Sequence, residues 1–82
     1  MNIRIFTAMN PIVASKNTVI VSERDAKIVF HVSNGLSSKQ IGEKMKISHR
    51  TVEERIASLK RTFDCDSISH LVAYFLRKGL IK

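Results

Sequence analysis

Arg50, Glu53, Glu54, Ala57, Lys60 and Arg61 recur at steps of three and four, a spacing that gathers them along one side of a helix. Their side chains suit recognition of phosphates and base edges. A guanidinium at Arg50 or Arg61 can bond a phosphate or fork onto guanine, and a carboxylate at Glu53 or Glu54 can accept from the cytosine amino group. Ala57 is small enough to meet a thymine methyl or to let the helix sit deeper. Lys39, Lys60 and the amides that open the preceding helix suit backbone phosphates. The plainer reading of each charged residue is a solvated helix face, with Arg50 and Glu54 paired at i,i+4 spacing.

The elements that hold this face outward follow from the same stretch. Val52, Ile56, Leu59 and Phe63 form an apolar stripe at spacings of four, three and four, so a helix over about 49–63 turns that stripe inward. Ser48 stands where its cap belongs. Just upstream, Ser37-x-x-Gln40 is a capping box that opens a short helix from Ser38 to Met45. Gly42 lies where the two helix axes must approach. The span Ser37 to Ile56 is thus a helix-turn-helix layout, in which the second helix can present its first turns to DNA.

Two more helices complete the pattern. Ser22-Glu-Arg-Asp25 reads as a capping box ahead of apolar Ile28, Val29 and Val32, which predicts a helix from Glu23 to Ser33 ended by Asn34-Gly35. Asp64-Cys-Asp66 interrupts the third helix, and Ser67 caps a fourth whose stripe is Ile68, Leu71, Val72 and Phe75, ending near Lys78-Gly79. Residues 1–20 mix polar residues and short apolar runs without a helical period. They read as an irregular N-terminal arm or linker, leaving 21–82 as one all-α, four-helix domain.

Composition agrees with that size and chemistry. The chain has 82 residues, 44% hydrophobic and 26% charged, enough for one small core. Fourteen Lys and Arg against seven Asp and Glu give +7, a balance that favours polyanionic partners. No apolar run is long enough to span a bilayer and the start lacks the core of a secretory signal, so a cytoplasmic location without membrane contact is expected. Cys65 is the single cysteine and cannot form an internal disulfide. His31, His49 and His70 fall on three different helices with no triad or metal-ligand spacing, and Cys65 between two acids is a poor nucleophile. No enzyme, cofactor or metal is expected.

Val21-Ser-Glu-Arg-Asp25, Asn34-Gly-Leu-Ser-Ser-Lys-Gln-Ile-Gly-Glu-Lys-Met45, Ile47-Ser-His-Arg-Thr-Val-Glu53 and Leu71-Val-Ala-Tyr-Phe-Leu-Arg-Lys-Gly-Leu-Ile81 stand in order and without a gap that needs explaining. Together they resemble the LuxR-type DNA-binding domain, also found at the C-terminus of NarL- and FixJ-like response regulators. The resemblance implies a four-helix fold with helix three as the recognition helix and helix four commonly mediating dimerisation. It puts base-facing positions on Glu53, Glu54 and Ala57, and phosphate-contacting positions near Ser37, Lys39, Thr51, Lys60 and Arg61. The dimer contact would lie on the outward face Ser69, His70, Ala73, Tyr74 and Arg77 of helix four.

Some positions depart from the family pattern. Many members have Lys at the position of Glu53, and often a neutral residue at Glu54. Arg55 stands where His is common, with a stem that can cover apolar surface and a head free to reach solvent or phosphate. Phe30 stands where a polar residue is usual, and Pro11-Ile-Val-Ala14 or a second subunit could cover it. The 20 residues ahead of the domain cannot form the sensor that often precedes it, which implies a stand-alone member or a fragment of a longer regulator. The expected function is a sequence-specific regulator on double-stranded DNA, acting as a homodimer with possible contact to the transcription machinery. The alternative is a helix-turn-helix module that binds a transcription protein instead of DNA.

Overall fold

In a computed structural model, the described residues are 21–82, and they fold into α1 (Glu23–Ser33), α2 (Ser38–Met45), α3 (His49–Thr62) and α4 (Ile68–Arg77). The expected arm over 1–20 lies outside the described residues. Among the described residues there is no helix long and apolar enough to cross a membrane.

Each helix begins on a serine, because a serine oxygen satisfies one of the amides left without a partner in the first turn. Ser22, Ser37, Ser48 and Ser67 accept from the amides of Asp25, Gln40, Thr51 and His70. The box at Ser37 is complete, since its own amide donates back to Gln40 Oε1 at 2.8 Å. The box expected at Ser22 forms by half. Ser22 accepts from the Asp25 amide at 3.1 Å, but the Asp25 carboxylate is turned elsewhere in the fold. The first helix ends as expected at Asn34-Gly35, where φ of +88° at Gly35 suits a residue without a Cβ.

The core is assembled from one stripe of each helix. Ile28 and Val29 of α1, Ile41 of α2, Val52, Ile56 and Leu59 of α3, and Leu71 and Phe75 of α4 are all buried. Leaving water contributes about 1.5–3 kcal/mol for each large side chain in such a set. The chain then folds back after α4, and Leu80 and Ile81 are buried as well, with the Leu80 amide donating to the Phe75 carbonyl at 2.8 Å. Phe63 closes the joint between α3 and α4, with its ring stacked on Tyr74 at 5.0 Å and edge-on to Phe75 at 5.7 Å.

One expected core position is corrected. Ile68 was placed on the inward stripe of helix four, but it is 44% exposed. It is the first residue of α4, one turn ahead of Leu71, where the helix first meets the core. Cys65, in the connection between α3 and α4, is buried. Burial and then Asp64 and Asp66 raise its thiol pKa, so Cys65 serves as a small packing residue.

Candidate nucleic-acid interface

The geometry of the reading unit is set by how closely α2 approaches the start of α3. A Cβ built on Gly42 would lie 2.6 Å from the Ile47 carbonyl oxygen and 3.1 Å from the His49 amide nitrogen. Both are backbone atoms, which no rotamer change can move aside, so only glycine fits. The turn itself is made by Lys46, left-handed at φ 61° and ψ 43°, followed by an Ile47 amide that donates to the Gly42 carbonyl at 3.0 Å. A lysine in that conformation costs on the order of 1 kcal/mol relative to glycine. Half-buried Ile47 and Met45 pack against the core around it and offset that cost.

Ser48 then launches α3. Its oxygen accepts from the Thr51 amide at 3.0 Å and its hydroxyl donates to Thr51 Oγ1 at 2.9 Å, which ties the Thr51 side chain to the cap. With Val52, Ile56 and Leu59 buried, Arg50, Glu53, Glu54 and Arg61 are exposed, while Ala57, near the middle of the outward face, and Lys60, at its edge, are half-buried. The six residues expected to act together do lie along one side of one helix.

That side carries one internal ion pair. Arg50 Nε donates to Glu54 Oε2 at 3.2 Å, with 83% and 64% of the two side chains exposed. A pair this open is worth about 0.3–0.5 kcal/mol, so it can exchange Glu54 for a phosphate or a base at little cost. Glu53, one residue away, has no ion-pair partner among the described residues. The two adjacent acids therefore differ: Glu54 is neutralised by Arg50, and Glu53 stands alone.

The opposite flank of α3 holds the feature that the sequence reading missed. Arg55 was expected to send its head to solvent or phosphate. Instead its Nε and Nη2 donate to the two carboxylate oxygens of Asp25 on α1, at 3.1 and 2.8 Å. Asp25 is the one buried charged residue among those described, at 7% exposure. The hydrogen bonds and then the charge of Asp25 raise the Arg55 pKa, with burial opposing them. A planar fork on a carboxylate fixes angle as well as distance, so the pair sets the rotation of α3 against α1. The available signal was an acid at the third position of α1 and an arginine thirty residues later. The acid was assigned to the helix cap, which the amide of the same residue occupies without it.

The expected phosphate contacts lie around the outward face of α3. Ser37 and Lys39 are exposed at the N-terminus of α2. The Ser37 hydroxyl oxygen and amide are already engaged by Gln40, so this terminus offers an anion its first-turn amides and the Lys39 ammonium. Thr51 is half-buried, and Lys60 and Arg61 flank the C-terminal half of α3.

On α4, the expected outward set is partly committed within the subunit. Ser69 and Arg77 are exposed and Ala73 is half-buried. His70 accepts at Nδ1 from the Asp66 amide at 3.3 Å, and half-buried Tyr74 is stacked on Phe63 with the Lys78 ammonium 5.7 Å from its ring centre. Leu76, which the sequence reading left out of this face, is 48% exposed. It lies seven residues from Ser69 and three from Ala73, so it shares their side of the helix.

Among the described residues no three His, Cys, Asp or Glu side chains come together to hold a metal. Comparison with known proteins finds one family: a model for bacterial regulatory proteins of the luxR family matches residues 19–75, more than half of the chain. No curated protein and no solved structure matches.

Proposed function

The chain belongs to the LuxR family of bacterial regulatory proteins, whose domain is a DNA-binding helix-turn-helix, and we propose that it is a sequence-specific transcription regulator. In this reading α3 lies in the major groove. Arg50, Glu53, Glu54 and Ala57 face the bases, and Lys39, Lys60, Arg61, Thr51 and the α2 terminus at Ser37 hold phosphates on either side. The observation that carries it is the single outward face of α3, whose exposed and half-buried side chains are all of kinds that meet phosphates or base edges.

The protein-interaction alternative drew on two adjacent acids in the middle of a DNA-facing surface. With Glu54 paired to Arg50, one unpaired carboxylate remains, a number that base reading can use as an acceptor for cytosine. A homodimer on a two-fold site would form through α4, around Ser69, Ala73, Leu76 and Arg77, with His70 and Tyr74 at its edge. DNA as the partner entails a cytoplasmic site of action in a bacterial cell, where further contact with the transcription machinery becomes available.

The test is duplex affinity measured across a salt series. Lys60→Ala and Arg61→Ala should each lower the slope of log affinity against log salt by about 0.9, the signature of one lost phosphate contact. Sedimentation of Ala73→Glu on and off DNA tests the dimer. If the slope is unchanged in both lysine and arginine variants, the DNA face is not where it is proposed.

A further inference from the structure

Away from α3, two open grooves meet at Lys27 and Phe30. The first, about 440 Å³, runs between α1 and the folded-back C-terminal segment, lined by Ala26, Lys27, Phe30, Leu80, Ile81 and Lys82. The second, about 450 Å³, runs between α1 and α2, where Lys27 and Phe30 are joined by His31, Lys44 and Met45. Phe30 belongs to both and is 41% exposed, the most exposed aromatic ring of the core-forming helices. None of these residues belongs to the proposed DNA face. Lys44 lies five positions beyond Lys39, about 140° around α2 from the side assigned to phosphate.

The charge on this surface is one-sided. The lining acid is Glu23, and its carboxylate is 3.8 Å from the Lys27 ammonium, so it offsets one cation locally and leaves Lys44 unmatched. The local field registers in His31, whose pKa is lowered first by burial and then by Lys44 and Lys27. A floor of aromatic and aliphatic carbon rimmed by ammonium groups is poorly suited to a bare phosphodiester, which has no apolar side to place on Phe30. A second copy of the chain would bring net charge +7 against cations, and the chain's own residues 1–20 contain Arg4 and Lys16 but no acid. Charge complementarity disfavours a second copy, and residues 1–20 have no carboxylate to offer these lysines.

We infer that the Phe30 groove is a docking surface for an acidic peptide segment of another protein, one that seats an apolar side chain on Phe30 and sets carboxylates against Lys27 and Lys44. Apolar contact would give the affinity and the lysines the orientation. The inference is independent of the DNA reading, because the two surfaces share no residue.

The experiment uses the full chain and a synthetic probe of about twelve residues, rich in Asp and Glu, with Leu and Phe four positions apart. A control peptide keeps every charge and replaces Leu and Phe with Ser. Amide shift mapping should show saturable changes at Ala26, Phe30, Lys44 and Leu80. Anisotropy should show about fivefold or weaker binding for the control peptide and for Phe30→Ser, and a similar loss for Lys44→Glu. Thermal melts verify that each variant folds, and Lys44→Glu, on an exposed position, carries the test if Phe30→Ser does not. Duplex affinity of Phe30→Ser should equal that of the parent. Equal binding of the two peptides, shifts centred on α3, shifts at Phe30 on dilution, or contacts between Phe30 and residues 1–20 in the free full chain would each overturn the inference.

Discussion

The helix α3 carries two arginine–carboxylate pairs that look alike in composition and differ in exposure and geometry. Arg50–Glu54 joins two exposed side chains on one helix through a single contact at 3.2 Å. Arg55–Asp25 joins two helices through a fork of 3.1 and 2.8 Å, with the acid buried. Water competes freely for the first and hardly reaches the carboxylate of the second. The first therefore adds little stability and can trade partners when a phosphate or base arrives. The second adds orientation, because a buried carboxylate that leaves its fork loses the hydrogen bonds that offset its removal from water. One face of α3 is thus held so that the other can change partners.

That contrast can be sharpened by substitution, beginning with the largest effect. Gly42→Val should disrupt the approach of α2 to α3, destabilising the fold by about 3 kcal/mol or more in urea titrations, since its Cβ meets backbone at 2.6 Å. Next, Asp25→Ala should cost about 1–3 kcal/mol. The figure is kept below that of a fully buried pair because 40% of the Arg55 side chain is exposed. Asp25→Ala should also blur DNA sequence preference at salt concentrations where the protein remains folded. A loss of stability with preference intact would show that the pair does not orient α3.

Arg50→Ala should leave stability within about 0.5 kcal/mol and weaken duplex binding by about tenfold. The opposite ordering, with Arg50 critical for folding and Arg55 dispensable, would show that the two pairs do not divide their roles this way. The smallest effect belongs to His31. Its pKa is lowered in the folded state, so the unfolded chain binds the proton more readily as pH falls below about 6.5. The neutral imidazole's contribution is fully present above that pH and is lost as pH falls toward the lowered folded value. Denaturation midpoints at a series of pH values should therefore slope less in His31→Gln than in the parent.

Much of this arrangement was legible in the chain because it is written in local rules. Serine caps at Ser37, Ser48 and Ser67 marked three helix starts, and the stripe Val52, Ile56, Leu59, Phe63 fixed which side of α3 faces out. Gly42 was readable as a close approach because nothing else explains a glycine inside a short amphipathic helix. What escaped was long-range. Asp25 sits at the third position of α1, where a cap and a salt bridge both use an acid, and only the packing of α1 on α3 decides between them. Ile68 and Leu76 have the residue type of a core, but one begins its helix and the other faces away from Leu71 and Phe75. Burial at helix ends depends on where the neighbouring helix stops, and periodicity carries no record of that.

The outward face of α3, with Glu53 as its one unpaired carboxylate, is proposed to read bases. The most direct measurement is enrichment of a randomised duplex pool by the parent chain and by Glu53→Gln, under identical salt. The parent should yield a short shared motif containing a cytosine, and the variant a changed base at that position with the rest of the motif retained. Identical motifs from both proteins, or no motif from the parent, would contradict it.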